Sequence, residues 1–297
     1  MSQKQPTKFL GNIDRRVVSN AIEKITSRLL LIGILGFAAT PIYWMVVSSL
    51  RRTGDIIRED PNLIPEYVTF TNYISMWDRI PLVDFYINSI IIASVATIIS
   101  LFIGSLGAYA LSRYSFRGNR FVAGIIIGTQ MIPRILILLP IFLIFLSVQN
   151  IVSLPMRNTY HGMIYLLTTM TLPFSIWMMW GYMDSVPEAL EEAARIDGCN
   201  RVQVLRHIVF PLIVPGLAAT GLFVFLIAFN EVLFSSIFAV RDVTPFSIGI
   251  QQFQTNRTTQ WGEMMAAATS AALPLLIILY TFQKQIIAGL TEGGLKS

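Results

Sequence analysis

Six stretches of this chain are apolar for long enough to cross a bilayer, and this limits the fold more than any other feature. They cover residues 29–50, 87–111, 121–147, 161–183, 211–236 and 264–288, each near or above the roughly 20 residues a helix needs to span the hydrocarbon core. Lipid offers a bare backbone no hydrogen-bond partners, so runs of this length predict helices. The expected fold is all-α: a polytopic membrane protein with six transmembrane helices. With 54% hydrophobic and only 13% charged residues, the chain is too apolar for a soluble domain, in which about 25% of residues carry charge. The first run begins only near Leu29 and lacks a small-residue cleavage site, so it is expected to remain as a span rather than leave as a signal peptide.

Composition removes several function classes. Two His and one Cys supply no disulfide, no C-x-x-C pair and no H-E-x-x-H zinc helix, so no metal site is expected and no catalytic residue is nominated. No G-x-x-x-x-G-K-S/T phosphate loop occurs, so the chain itself is not expected to hold ATP. The net charge of +5 comes without an interleaved basic and aromatic patch, which excludes nucleic acid as a partner and leaves membrane lipid. Lys and Arg beside spans set orientation instead. One side of the six spans carries six before residue 29, then Arg113, Arg117, Arg120, Arg195, Arg201, Arg206, Lys284 and Lys296, fourteen in all. The other carries seven: Arg51, Arg52, Arg58, Arg79, Arg157, Arg241 and Arg257. Both termini are therefore expected in the cytoplasm.

The same rule places one polar segment in the cytoplasm: Pro187 to Pro215, PEALEEAARIDGCNRVQVLRHIVFPLIVP, the most charged stretch past the halfway point. Ser185-x-x-Glu188 has capping-box spacing and predicts a helix starting near Ser185. Glu191, Glu192 and Arg195 share one face, while Ala189, Ala193 and Ile196 make a smooth opposite face suited to docking. Gly198 stands where a helix end favours positive φ, and Asn200 is placed to cap a second helix through about Val209. By pattern alone, an amphipathic loop resting on lipid headgroups fits as well as a docking element.

Glu192-Ala193-Ala194, then three residues to Gly198, nine intervening residues to Ile208, and Pro211 resemble the EAA signature of binding-protein-dependent ABC importer permeases. Asp197 before Gly198 and Pro215 after Pro211 narrow the resemblance to the carbohydrate, maltose-type branch. Cys199 replaces a usual Ala and Phe210 a usual Leu. The resemblance implies a six-span permease of the type I importer kind, in a bacterial or archaeal plasma membrane. It also implies a second permease subunit, two ATP-binding subunits that hold the nucleotide, and an external solute-binding protein. The loop over 184–210 would then be a coupling helix seated in an ATPase cleft, with Glu188, Glu192, Ala193, Ala194, Asp197, Gly198, Ile208 and Pro211 as its coupling residues. Segment 1–28 becomes a cytoplasmic N-terminal region with a short interfacial helix near Ala21–Ile25, 29–288 the permease domain, and 289–297 a cytoplasmic tail. Phe70-Thr71-Asn72-Tyr73 and Asn88-Ser89 also resemble the branch.

Inside the spans, Ala96, Ser100, Gly104 and Ala108 recur every four residues and predict close helix packing, as do Gly262 and Ala266 to Ala268. Pro41, Pro133, Pro140, Pro173 and Pro274 are expected to kink helices. Prolines 61, 65 and 81 are expected to keep regular helix out of the 51–86 loop. Phe229-Asn230-Glu231 lie in the fifth run and resemble the family's aromatic-Asn-Glu element; lining the solute path and helix-to-helix hydrogen bonding both remain open. Arg134 either snorkels outward or pairs with Glu231. A secondary transporter is the competing function, but it is expected to show inverted repeats and a buried ion site, neither of which stands out.

Overall fold

The computed structural model describes the backbone of residues 13–57, 62–239, 241–255 and 258–294, and side chains between 23 and 284 within those limits. Residues 1–12, the end of the tail at 295–297, and Arg58, Pro61 and Arg257 lie outside the described residues. Among the described residues the chain is helical apart from loops and one isolated bridge, Gln254 to Thr259.

In chain order the helices are α1 (Ile13–Ser49), α2 (Thr53–Ile56), α3 (Thr71–Arg79), α4 (Leu82–Arg113), α5 (Asn119–Thr129), α6 (Arg134–Val152), α7 (Tyr160–Ser185) and α8 (Glu188–Ile196). The rest are α9 (Arg201–Leu212), α10 (Val214–Phe229), α11 (Ser235–Phe238), α12 (Phe246–Gly249) and α13 (Trp261–Gly294). Five are long and apolar enough to cross a membrane, and the bent pair α9 and α10 makes up to six. The expected spans are therefore present with shifted limits. Helix α1 is continuous from Ile13, so no separate interfacial helix precedes the first span. Helix α13 continues to Gly294, through most of the stretch expected to be a tail. The third run is broken over residues 130–133, because Pro133 holds an extended ψ of 125° and starts α6 instead of kinking a longer helix. The 51–86 loop does contain regular helix, α3, in the gap between Pro65 and Pro81.

Helices α4 and α7 form the centre, with α10 against both and α13 closing the remaining side under α1. Two stripes at four-residue spacing meet there. Ala96, Ser100, Gly104 and Ala108 of α4 face Met163, Leu167, Thr171, Ser175, Met179 and Met183 of α7, and all are buried. Apolar association between helices is weak in lipid, so close backbone approach and shared hydrogen bonds take its place. Ser100 Oγ lies 2.7 Å from Thr171 Oγ1, and Ser175 Oγ donates to Ser100 O at 2.9 Å. At Gly104 any Cβ would lie 2.9 Å from Ser175 Cβ, so only glycine admits this approach.

At the end of the bundle away from the α8–α9 loop, elements are tied by side chains. Asn72 Nδ2 donates to Ser49 O at 2.8 Å and Arg51 O at 2.6 Å, satisfying carbonyls at the end of α1. Asn88 Nδ2 donates to Thr244 O at 3.0 Å, and Ser89 Oγ accepts Phe246 N at 2.7 Å. The short Phe70–Tyr73 and Asn88-Ser89 motifs therefore act here as clamps between elements. Gly104→Val is expected to destabilise the purified protein by about 1–3 kcal/mol through overpacking, read as a lower thermal unfolding midpoint. Gly124→Val, where nothing lies within 4 Å of an added Cβ, is expected to leave it unchanged; equal effects would contradict the α4–α7 seam.

Candidate functional site

The polar loop folds as helix, tight turn, helix. Helix α8 starts at Glu188 behind Pro187, and Ser185 does not cap it: its hydroxyl donates back to Tyr182 O at 2.7 Å within the last turn of α7. The capping-box expectation fails because Pro187 starts the new helix with φ already fixed and no amide to satisfy. At the other end Gly198 N donates to Arg195 O at 3.1 Å and Cys199 N to Ala194 O at 3.0 Å, the paired bonds of a Schellman cap. Gly198 has φ +90°, and nothing lies within 4 Å of the site a Cβ would occupy, so backbone conformation and not crowding selects glycine. Asn200 then caps α9 as expected, in a reciprocal box: Gln203 N to Asn200 Oδ1 at 2.9 Å and Asn200 N to Gln203 Oε1 at 2.8 Å.

Helix α9 runs on to Leu212, past the predicted end at Val209, and widens into a π turn over Leu205–Val209. Pro211 has no N–H for the carbonyl of His207 and its ring crowds that carbonyl, which accounts for the widening. Pro215 repeats the effect one turn on, and α9 meets α10 at a bend of 73°.

The inner side of the loop is seated on its own bundle. Ala194, Val204, Val209 and Ile213 pack with Ala108, Met179, Met183 and Val186, and Ile208 lies half-buried beside them. Ala194 and Ile208 thus face inward, whereas Glu188, Ala189, Glu192, Ala193, Asp197, Gly198 and Pro211 are exposed and Ile196 is 86% exposed. Glu191 departs from the expected shared face with Glu192 and Arg195: it is turned inward and 3% exposed. Its carboxylate accepts Arg113 Nε at 2.6 Å and Tyr109 OH at 2.9 Å. Arg113 Nη2 also donates to Met183 O at 2.9 Å and Val186 O at 2.7 Å, and Nη1 to Ser112 Oγ at 2.8 Å. Ser112 in turn donates to Asp184. Arg113, Tyr109 and Glu191 are the residues that sequence reasoning missed. The available signal was Tyr109-x-x-x-Arg113, two polar groups on one face at the end of an apolar span. Beside them a cleft opens that is also lined by Tyr114, Glu188, Arg195 and Arg201. Arg201 donates to Tyr114 OH at 2.8 Å across it.

At the far end of α10 the structure corrects the sequence reading. The helix stops at Phe229 with Asn230 as its C-cap, so Asn230 and Glu231 sit in a break and not within a span. Glu231 is 6% exposed, and its carboxylate accepts Phe234 N at 3.1 Å and Ser235 N at 2.9 Å. Its backbone carbonyl accepts Ser247 Oγ at 2.7 Å. The carboxylate starts α11 in place of a helix-to-helix bond, and Arg134 is exposed rather than paired with it. Phe229 is buried in a stack, 5.7 Å from Phe225 and 6.4 Å from Phe246 by ring centroids, while Asn230 is exposed. Among the described residues no group of three or more His, Cys, Asp or Glu is placed to hold a metal ion.

Comparison with known proteins bears directly on this loop. A family model described as "Binding-protein-dependent transport system inner membrane component" matches residues 96–291, which include the loop, all of α7 and α4 from Ala96 onward. The trehalose/maltose transport system permease protein MalG of Thermococcus litoralis is 36% identical over 288 residues, 92% of this chain and 99% of that one. The diacetylchitobiose uptake system permease protein DasC of Streptomyces coelicolor is 33% identical, covering 92% and 95%. In fold, the chain is similar to a chain of a bacterial ABC transporter involved in alginate import, with a TM-score of 0.73 at 23% identity over 94% of this chain and 99% of that one. With relatives of this identity aligned nearly end to end and a family match running through the seated loop, this chain belongs to the binding-protein-dependent transport system inner membrane components.

Proposed function

We propose that this multi-pass inner-membrane protein is the permease subunit of an ATP-driven importer for a sugar or sugar-like solute. The observation that carries the reading is the α8–α9 loop: a rigid, capped hairpin with a small, exposed outer face of Ala189, Ala193 and Ile196. A cytoplasmic ATP-binding subunit docks there, and its closure moves the loop. The sugar class is supported by curated relatives named for trehalose/maltose and diacetylchitobiose uptake. A second permease, two ATP-binding subunits and an external solute-binding protein complete the assembly, and both termini lie with the loop in the cytoplasm. ATP is bound by the partner subunits. A secondary transporter gains no support, since neither the family nor the buried carboxylate of Glu231, which is engaged by backbone amides, supplies a coupling-ion site.

Within the coupling set, Glu192, Ala193, Asp197 and Gly198 present themselves to the partner, with Glu188 at the near end. Ala194, Ile208 and Pro211 fix how the hairpin sits. Of the three residues proposed for the solute path, exposed Asn230 faces it, and Phe229 and Glu231 hold the break in shape.

Purified alone, the chain is expected neither to bind nor to hydrolyse ATP. Reconstituted with its partners, it is expected to support hydrolysis that rises when solute-loaded binding protein is added, and Glu192→Lys is expected to weaken that rise. Ion-gradient uptake by vesicles holding only this chain, indifferent to ATP, would overturn the proposal. At the turn, Gly198→Val forces an L-residue into the left-handed region at about 1–2 kcal/mol and is expected to loosen ATPase attachment in a pull-down. Gly198→Asn, which tolerates that region, is expected to be mild, and full uptake with Gly198→Val would remove the turn from the mechanism. Asn230→Ala is expected to change solute uptake with the complex intact. Glu231→Ala, which leaves buried amides unpaired at about 1–3 kcal/mol, is expected to reduce the amount of folded protein; the reverse pattern would exchange their roles.

A further inference from the structure

One guanidinium joins three elements at the cytoplasmic end of the bundle. Arg113 is the last residue of α4, its Nη2 donates to carbonyls at the end of α7, and its Nε is bonded to Glu191 in the first turn of α8. Both side chains are withdrawn from solvent, Arg113 at 9% and Glu191 at 4% exposure. A desolvated pair in which four of the five guanidinium N–H groups and both carboxylate oxygens are bonded is directional, unlike the apolar contacts of Ala194, Val204 and Val209 that seat the rest of the loop. Tyr109 OH bonds the second carboxylate oxygen, so Glu191 is held at both ends.

The loop's other connection is built in the opposite way. Helix α9 widens into a π turn at Leu205–Val209 and then meets α10 at a 73° bend at Ile213. The hairpin is therefore tied to α4 and α7 by directional polar bonds, whereas towards α10 the chain is bent and held by apolar contacts of Val209 and Ile213.

We infer that Arg113 is the positioning residue that makes α8 move as one body with α4 and α7, so that displacement of the loop reaches the spans while the bent α10 side takes up the difference. The inference rests on the reading of α8 as the ATPase-docking helix and names the link behind it. Without the link, the ATPase still docks and turns over, but its stroke slides α8 over an apolar seat. Arginine is required for geometry as well as charge, because lysine is a point charge without the planar fork that reaches carboxylate and carbonyls together.

The test uses the full complex in proteoliposomes and reads two quantities, solute imported per ATP hydrolysed and the amount of ATPase subunit retained. Arg113→Lys is expected to retain the ATPase and hydrolyse ATP, while import per ATP falls about tenfold, within the usual range of coupling between sites. Tyr109→Phe, which removes one hydrogen bond and keeps the ring in place, is expected to lower the ratio less while leaving retention unchanged. Full import per ATP in Arg113→Lys overturns the inference and leaves the docking reading standing. So does loss of the ATPase in Arg113→Lys combined with a full ratio in Tyr109→Phe, since the pair would then serve folding alone. A complex carrying Glu192→Lys and Gly198→Val together, with Arg113 intact, whose ATPase remains fully bound counts against the docking reading itself, a separate result.

Discussion

Lipid supplies no hydrogen bonds, and the rest of the structure follows from how the chain meets that constraint. A continuous helix meets it internally, but every place where a helix stops leaves amides or carbonyls bare. Several of these ends have a dedicated side chain, while α8 opens behind Pro187 with none and closes on the backbone bonds of the Gly198 turn. Asn72 takes carbonyls at the end of α1, Arg113 those at the end of α7, and Glu231 the amides that open α11. Asn88 and Ser89 hold the segment that returns after the α10 break. Polar residues thus serve two places in an otherwise apolar chain: the points where the backbone changes direction, and the α4–α7 seam, where Ser100, Thr171 and Ser175 bond across mid-span.

The two ends of α10 use this device differently. At the outer end, Glu231 closes a break inside a packed aromatic layer of Phe229, Phe246 and Tyr86, and the segment is locked to α4. At the end that carries the α8–α9 loop, prolines 211 and 215 open the helix, and among the described residues no buried carboxylate closes it as Glu231 does the other end. On the proposed reading, the loop moves at the bent end while the Glu231 end holds its place against α4. That difference gives the loop its mechanical sense.

Much of this was legible in the sequence. Apolar run length announced the spans, the four-residue stripe announced that α4 packs closely without naming α7 as its partner, and Gly198 and Asn200 announced the turn and the second cap. What escaped detection depended on contacts far apart in sequence. Glu191 reads as one of two equivalent exposed acids, and only the position of Arg113, many residues earlier on another helix, decides that it turns inward. Glu231 reads as a polar residue within a span, because run length does not register a helix that ends while the chain stays apolar. The Ser185 spacing misled for a local reason: Pro187 began the helix without needing a cap.

The loop as the point where ATPase movement enters is tested most directly by cross-linking from its outer face. In the assembled complex, Ala193→Cys in a Cys199→Ser background places the only thiol of this chain on an exposed position of α8. The expected result is a cross-link to the ATP-binding subunit whose yield changes between nucleotide-free and ATP-bound states. A position 193 that labels with membrane-impermeant reagent from outside, or that never cross-links to the ATP-binding subunit in complexes that import normally, would contradict it.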